Sequence, residues 1–269
     1  VLAESLPPQE RLENNINAIR VLKRLEEEDR EASREEQEIL AKYVGWGGLS
    51  DVFDESKSGQ WERARNFLKE NLSPSEYEAC EESTLTAFYT PKPVIDGIYQ
   101  ALENMGYEKG NILEPSCGVG SFMGSLPESM KESRVYGVEL DGISGNIAKK
   151  LYPENKVQVK GFEETSFSNN FFDVAVGNVP FGEFKVNDRQ YDKNNFLIHD
   201  YFFAKSIDKV RSGGVIAFIT SSGTLDKKDD SIRRYIGARC DLLGAIRLPN
   251  NTFKGMAGTE VTSDIIFLQ

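Results

Sequence analysis

The sequence predicts an α/β fold in which a helical segment precedes a mostly parallel seven-stranded sheet with an antiparallel strand near its C-terminal end. Beyond about residue 86, short apolar runs alternate with helical patterns, which favours parallel strands joined by right-handed crossovers. The last two runs have no helical pattern between them, so we expect them to pair antiparallel at one side of the sheet. We therefore predict an N-terminal helical segment at 1–85 and an α/β domain at 86–269.

The N-terminal segment carries several helix signals. Apolar residues recur at helical spacing over 14–25, and residues 33–36 form a capping-box pattern. A second amphipathic stretch covers 61–72, and Pro74 stands at the first position of the next helix. Between them, residues 44–49 form a glycine-rich break. It is either a loop that approaches a ligand or, as we favour, a helix end and turn.

The elements of the α/β domain follow from the same patterns. Strands are predicted at 111–113, 134–140, 156–159, 171–176, 214–220, 241–247 and 263–268. Helices are predicted at 94–105, 120–128, 143–151 and 195–210.

Composition excludes several classes of protein. The chain has 269 residues, of which 39% are hydrophobic and 28% charged, as in a globular protein with a sizeable core. Because no apolar run approaches the ~20 residues that span a bilayer, we expect no membrane contact. Residues 1–11 lack a signal-peptide core, and because the first residue is Val1 rather than Met we expect a fragment of a longer protein.

The content of cysteine, histidine and charged residues indicates the compartment, and it bears on metal and nucleic-acid binding. Three scattered cysteines favour a reducing compartment, so we expect a cytoplasmic location. A single histidine and no cysteine cluster argue against a metal site. The net charge of −11 does not attract a polyanion, so any nucleic-acid contact needs a local basic patch or regions outside this chain.

One stretch points to chemistry more directly than any other. The apolar strand at 171–176 ends in Gly177 and then in Asn178-Val179-Pro180-Phe181. Because Pro180 holds the preceding residue extended, the Val179 carbonyl should point outward. Together with the Asn178 side-chain oxygen it could bind both hydrogens of an amino group, while Phe181 stacks on the attached ring. The alternative is a plain strand-to-loop turn.

A turn that contains two glycines, called here the glycine turn, follows the first strand of the domain. Its residues are Glu114, Pro115, Ser116, Cys117, Gly118, Val119, Gly120, Ser121 and Phe122. The glycines would let the backbone approach a ligand. The loop lacks the Gly-Lys-Ser/Thr of a phosphate loop, and the carboxylate of Glu114 would repel a phosphate, so a cationic or zwitterionic ligand fits better. An ordinary strand-to-helix turn is the alternative.

Two further carboxylates stand at strand ends. Glu139 follows the glycine turn by about 20 residues, at the end of the second strand, where a carboxylate can bind ribose hydroxyls. After the third strand, Phe162 and Glu163 could sandwich and hydrogen-bond an adenine ring. Glu163 could equally be a surface acid.

In these motifs the sequence resembles the S-adenosylmethionine-dependent amino-group DNA methyltransferases, with the adenine-N6 enzymes the most similar. The resemblance covers about 86–269. Four elements match in that family's order, namely residues 88–91 (Phe-Tyr-Thr-Pro), Glu114 to Phe122, Glu139 and Asn178 to Phe181. Residues 43–48, 178–182 and 248–251 also resemble the methylase part of large helicase–methylase proteins of bacterial mobile elements.

The resemblance implies a Rossmann-like methyltransferase fold, S-adenosylmethionine as cofactor, no metal, and adenine N6 in DNA as the target. It places Tyr89, Thr90 and Pro91 at the methionine end of the cofactor, with residues 114–120 around its amino-acid group and Glu139 on its ribose. Asn178 and the Val179 carbonyl would hold the target amine, and Phe181 would stack on a flipped base. The family usually has Pro where this chain has Val179, which puts the loop's rigidity in question.

Two other functions stay open at this point. The same amide-and-carbonyl arrangement can serve methylation of a protein glutamine, although such enzymes usually carry Tyr at the position of Phe181. The second alternative is a non-catalytic module of a larger mobile-element protein, serving as a scaffold or binding the cofactor without transfer.

Seven basic residues could contact DNA phosphates or be simply solvated, and in so acidic a chain we favour solvation. They are Lys185, Arg189, Lys193, Lys227, Lys228, Arg233 and Arg234. We expect His199 to be packed or to cap a helix rather than to act as a base.

Overall fold

A single mixed sheet organises the computed structural model, which describes residues 6–86, 89–253 and 262–269. Its strands, in chain order, are β1 Asn111–Glu114, β2 Arg134–Glu139, β3 Lys156–Val159, β4 Phe172–Asn178, β5 Val210–Ser221, β6 Leu242–Arg247 and β7 Ser263–Leu268. Their spatial order is β3-β2-β1-β4-β5-β7-β6. The first five are parallel, and β7 runs antiparallel to both β5 and β6. The predicted sheet is therefore confirmed.

Helices lie before the sheet and between its strands. They are α1 Pro8–Glu27, α2 Arg34–Leu40, α3 Gln60–Asn71, α4 Pro74–Thr86, α5 Lys92–Asn104, α6 Gly142–Leu151, α7 Ile198–Lys209, α8 Gly223–Asp226 and α9 Ser231–Gly237. The capping box predicted at Ser33 is present, since its side chain accepts from the Glu36 N–H and the Glu36 carboxylate accepts from the Ser33 N–H. Pro74 begins α4 as predicted. None of the helices in the described ranges is both long and apolar enough to serve as a membrane span.

The helix predicted at 120–128 is wrong. In its place the structure has two short 3₁₀ turns, Met123–Ser125 and Glu128–Met130. Gly120 has a φ of +88°, which is incompatible with a right-handed helix, and Pro127 cannot continue one. The glycines instead admit the ring of Tyr152, which lies where a side chain at Gly120 or Gly124 would be.

The N-terminal helices share a core with the α/β domain. Buried side chains of α1 to α4 and of the connecting loops pack with Ile143 and Ile147 of α6. Both isoleucines are fully buried. The N-terminal segment is therefore packed on the face of the sheet domain that α6 covers.

The strand arrangement decides where a ligand can bind. β1 lies between β2 and β4. The chain continues from β1 towards β2 and from β4 towards β5, so the strand order reverses direction between β1 and β4. In such sheets, ligands bind in the crevice beyond the carboxyl ends of the strands on either side of this reversal. Glu114 ends β1 and Asn178 ends β4, on the two sides of the reversal, and Glu139 ends the neighbouring strand β2.

Candidate active site

A cavity of about 340 Å³ opens at the carboxyl ends of β1, β2 and β4. Eleven of the predicted site residues line it, namely Tyr89, Thr90, Glu114, Ser116, Cys117, Gly118, Glu139, Asn178, Val179, Pro180 and Phe181. Five others do not line it, and these are Pro91, Pro115, Gly120, Phe162 and Glu163. These eleven residues come from four separate stretches of the chain and meet at one site.

A second cavity, of about 710 Å³, lies at the opposite ends of the strands, beside Gly213 and Asp241. It is larger, but it contains none of the predicted site residues. We therefore take the smaller cavity as the functional one, because it combines the reversal in strand order with acidic, amide and aromatic side chains.

Asn178 is the last residue of β4 and lies opposite Ile219 of β5. The neighbouring Val179 N–H donates to the Ile219 carbonyl at 3.0 Å, which fixes the backbone as it leaves the sheet. Among the described residues, none donates a hydrogen bond to the Asn178 Oδ1 atom, although that atom is buried. Because an unpaired buried acceptor is costly, this oxygen is suited to a donor supplied by a ligand.

Glycines let the walls of the cavity come close together. Gly118 has a φ of +54°, and no heavy atom of the described chain lies within 4 Å of where its Cβ would be. Gly177, with a φ of +148°, places the β4 backbone against Glu114, whose Cγ would be 3.7 Å from a Cβ. The open space beside Gly118 is room for a ligand against bare backbone.

Two carboxyl groups lie at the base of the cavity. Glu114 is 1% exposed, and its Oε2 atom has no hydrogen-bond partner among the described residues. Burial, together with the nearby Glu139 charge, raises the pKa of Glu114 well above its usual range. Burial also raises the pKa of Glu139 to about 7. A cationic group in the cavity would stabilise the ionised forms of both.

Two phenylalanines form an apolar wall. Phe181 lines the cavity, and so does Phe184, which sequence reasoning did not select. The Phe184 side chain is 53% exposed, so its ring is accessible from the cavity. Its ring lies against Gly182, where a Cβ would be 2.8 Å from the ring edge. Gly182 therefore allows the Phe184 ring to fold back towards the cavity.

The pair predicted to hold adenine is not at the cavity. Phe162 is 2% exposed and packs in the core with Tyr201 and Phe202. Its backbone carbonyl accepts a hydrogen bond from the buried Lys205 ammonium at 2.8 Å. We therefore remove Phe162 and Glu163 from the candidate site. Leu140, directly after Glu139, is 74% exposed but does not line the cavity either.

The N-terminal segment supplies residues that sequence reasoning did not assign to the site. Tyr43, Gly45 and Ser83 line the cavity from outside the α/β domain. The glycine-rich break is a turn, as favoured, since Gly45 and Gly48 have positive φ. It is also a loop next to the cavity, so the two alternatives are not exclusive.

Most of the basic residues considered for DNA contact bind other parts of the protein. Lys227 pairs with Asp200, and Arg234 pairs with Asp230. Arg233 donates to the backbone carbonyls of Thr224 and Lys227. Lys185 donates to Asn195, and the remaining three, Arg189, Lys193 and Lys228, are exposed.

His199 is buried in the first turn of α7, as predicted, and burial lowers its pKa. Within the described ranges, no three histidine, cysteine or acidic side chains are grouped to bind a metal ion.

Comparison with known proteins places these features in a family. The model of the N-6 DNA methylase family matches residues 75–269. The chain is 31% identical over 241 residues to "Defense against restriction protein B" of Escherichia phage P1, covering 87% of this chain and 9% of that protein. It is also 31% identical over 141 residues to the modification methylase CviBIII of Paramecium bursaria Chlorella virus NC1A, covering 50% of this chain and 37% of that protein.

Solved structures share the fold at low identity. The methyltransferase subunit of a type I restriction-modification system from Streptococcus thermophilus superposes with a TM-score of 0.57 and 16% identity, covering 81% of this chain and 56% of that chain. The chain spans well under half the length of the two curated relatives. Because the family model covers most of the chain and the sheet has the methyltransferase arrangement, this chain belongs to the N-6 DNA methylase family.

Proposed function

We propose that this chain transfers a methyl group from S-adenosylmethionine to the N6 amino group of adenine in DNA. The observation that carries the proposal is Asn178, whose buried side-chain oxygen lacks a hydrogen-bond donor within the described chain and lines the same cavity as Gly118 and Phe181. An amino group is a donor of the kind that this oxygen needs.

The cofactor that family membership implies fits the residues present. Beside Gly118, the turn leaves open space where a side chain would otherwise be. Glu114, buried with one unpaired oxygen, suits the ammonium of the cofactor's amino-acid group. Glu139 suits the two ribose hydroxyls, since each of its oxygens accepts one backbone N–H and keeps a second lone pair.

The bound cofactor supplies a methyl group on a positively charged sulfur. Asn178 and the Val179 carbonyl accept the two N–H hydrogens of the adenine amine, so the nitrogen lone pair is less delocalised into the ring. Held by these two acceptors, the nitrogen would be directed at the methyl carbon, with the sulfur as the leaving group, and it would release one proton to water. Positioning and hydrogen bonding by the protein can account for such a displacement.

The aromatic wall gives the base a place to lie. A base in a duplex must leave the stack before its amino group can reach a buried site. Phe181 offers a ring beside Asn178, and the exposed Phe184 ring offers a second apolar surface at the same cavity. Together they would bind the two sides of a flipped adenine.

The acidic charge of the chain limits its own attraction for DNA. The net charge of −11 opposes binding to a polyanion, and two of the seven candidate cations, Lys227 and Arg233, are bound within the protein. We propose that a longer polypeptide, which the sequence motifs suggest also carries a helicase, supplies further DNA contacts.

Transfer of radiolabelled methyl groups to separate pools of DNA, RNA and protein tests the proposed substrate. We expect label in DNA, recovered as N6-methyladenine after digestion to nucleosides. Label on glutamine in the protein pool, with none in DNA, would instead support an amide methyltransferase. Cofactor binding without transfer to any pool, by this chain alone and joined to the rest of its polypeptide, would overturn the proposal.

A further inference from the structure

The loop at residues 43–48, called here the glycine loop, connects the N-terminal helices to the cavity. Tyr43 and Gly45 line the cavity directly. The Gly48 N–H donates to the Thr84 carbonyl near the end of α4, and Ser83 beside it lines the cavity too. The loop and the end of α4 therefore form one continuous wall of the cavity.

Two buried polar side chains of α1 hold the glycine loop. Asn15 is 0% exposed, and its amide donates to the Gly45 carbonyl at 2.6 Å while its oxygen accepts from the Val44 N–H at 2.9 Å. Arg11, also buried, donates to the Gly47 carbonyl at 2.5 Å. These bonds satisfy the backbone of a loop that has no regular structure, so its position depends on α1.

Gly45 fits against a residue of the predicted cofactor site. With a φ of +67°, it has no side chain, and a Cβ there would be 2.7 Å from the Tyr89 hydroxyl and 2.9 Å from its ring. Tyr89 itself lines the cavity. Glycine is thus required both by the backbone conformation and by the close approach of the Tyr89 ring.

The outer side of the glycine loop is fixed by aromatic packing. Trp46 is almost fully buried and makes an edge contact with Phe53, with ring centres 5.6 Å apart. Phe53 in turn makes an edge contact with Tyr77 of α4 at 5.4 Å. The loop is therefore held from α1 and from α4, which leaves its inner face, Tyr43 and Gly45, directed at the cavity.

We propose that the glycine loop is a wall of the S-adenosylmethionine site, and that Asn15 and Arg11 are positioning residues which hold it there. The N-terminal helical segment is then part of the cofactor-binding unit rather than a brace for the sheet. This inference uses only the cofactor part of the proposed function, so it does not depend on the methyl acceptor being DNA.

The first test replaces Gly45 with Ala and uses Gly59→Ala as the matched control. Both glycines have a similar positive φ, +67° and +71°, but a Cβ at Gly59 meets no heavy atom of the described chain within 4 Å. Both variants therefore place Ala at a positive φ, but Gly45→Ala alone disturbs Tyr89. By calorimetry, we expect Kd for S-adenosylmethionine to rise about tenfold or more in Gly45→Ala, which corresponds to about 1.4 kcal/mol, and to stay near the wild-type value in Gly59→Ala.

The second test separates positioning from general stability. Asn15→Ala leaves the Gly45 carbonyl and the Val44 N–H unpaired, so the loop should move and Kd should again rise about tenfold. Asp173→Ala is the control, because Asp173 accepts hydrogen bonds from the Asn111 N–H and from Arg211 at the amino end of β4, away from the cavity. We expect both variants to lower Tm, but only Asn15→Ala to weaken cofactor binding.

A third measurement reports contact directly. An S-adenosylmethionine analogue with a light-activated diazirine in its methionine part, the part assigned to Tyr89, should label the tryptic peptide 43–57. Unchanged Kd in both Gly45→Ala and Asn15→Ala, with label confined to other peptides, would overturn the inference. If DNA methylation is absent but these cofactor effects are present, the inference stands and the proposed substrate is wrong.

Discussion

The Glu139 carboxylate accepts a hydrogen bond of 2.8 Å from the backbone N–H of Gly118. This contact joins the end of β2 to the turn that follows β1, and a second bond from the Asp141 N–H, at 2.9 Å, occupies the other carboxylate oxygen. The two predicted cofactor elements thus fix one another before any ligand binds. The burial that makes this possible also raises the pKa of Glu139 to about 7.

Cofactor binding should therefore depend on pH near neutrality. Below about pH 7, Glu139 is largely protonated in the free protein, and it becomes an anion as pH rises through that value. Since an ionised carboxylate is the better acceptor for ribose hydroxyls, we expect Kd for S-adenosylmethionine to fall between pH 6 and pH 8. Calorimetry across this range measures the effect.

Glu139→Gln is the matched control for this pH dependence. The amide keeps the size of the side chain but does not titrate. The Kd of this variant should therefore be higher than that of the wild type at pH 8, and it should depend less on pH, since Glu114 is then the one of the two buried carboxyl groups that still titrates. A wild-type Kd that is constant from pH 6 to pH 8 would contradict the assignment of Glu139 to the ribose. The assignment would also be contradicted if Glu139→Gln kept the full wild-type pH dependence.

Replacement of Asn178 should separate chemistry from cofactor binding. In Asn178→Ala, the acceptor for the target amine is lost, and we expect methyl transfer to fall by about 10²-fold or more, in the range known for preorganised polar groups. Kd for S-adenosylmethionine should change little, because the glycine turn and both carboxylates remain. Single-turnover methyl transfer and calorimetry measure the two quantities, and normal turnover in this variant would defeat the proposed role.

The exposed ring of Phe184 should matter for the base and not for the cofactor. Phe184→Ala removes one apolar surface of the cavity while Asn178 and Phe181 remain. We expect KM for DNA to rise about tenfold, since stacking on an aromatic side chain is worth about 1–3 kcal/mol per base. The fluorescence of 2-aminopurine at the target position, which increases when the base leaves the stack, should increase less than in the wild type.

Leu243→Ala provides the control for Phe184→Ala. Leu243 is also a large, exposed apolar residue, but it lies on β6 at the far edge of the sheet. If loss of Leu243 raised KM for DNA as much as loss of Phe184, the effect would reflect general surface change rather than a contact with the base.

Much of the sheet could be predicted because each strand carries a local signal. The bounds of β3 and β7 agree with the predicted ranges, and the lack of a helical sequence pattern between the last two predicted strands correctly indicated that β6 and β7 pair antiparallel. Asp173 is a charged residue within the otherwise apolar run of β4, and the structure explains its presence. Its carboxylate accepts from the Asn111 N–H at 2.7 Å and from Arg211 at 2.6 Å, so it joins three neighbouring segments.

Features that depend on distant contacts could not be predicted from local patterns. Residues 120–128 have apolar spacing compatible with a helix, but the ring of Tyr152 occupies the space beside Gly120 and Gly124. Phe162 follows a strand end, as a ligand-binding residue would, yet it packs in the core over Lys205. The place of residues 43–48 at the cavity required the positions of Asn15 and Tyr89, which lie far away in sequence.

Lys205 connects the loop after Phe181 to the rest of the domain. It is 3% exposed, and its ammonium contacts the Asp188 carboxylate at 3.0 Å and the Phe162 carbonyl at 2.8 Å. Tyr201 also donates to Asp188, at 2.7 Å. Because Asp188 lies seven residues after Phe181, this buried network anchors the segment that carries Phe184.

Removing this lysine should be costly for stability and for turnover together. In Lys205→Met, Asp188 and several carbonyls lose their cation, and breaking a buried pair in this way typically costs about 3–5 kcal/mol. We expect the free energy of unfolding in urea to fall by about that amount. The rate of methyl transfer measured well below Tm should fall as well, since the anchored loop positions the apolar wall.

Lys209→Met is the control that decides between this explanation and simple loss of a buried lysine. Lys209 is also buried, but its partner is the neutral Asn169, at 2.7 Å, so its removal leaves no carboxylate without a counter-charge. Its cost should therefore be smaller, and the double variant Lys205→Met with Asp188→Asn should recover part of the stability lost by Lys205→Met. Equal losses for the two lysines, with no recovery in the double variant, would show that the charge pair does not anchor the loop.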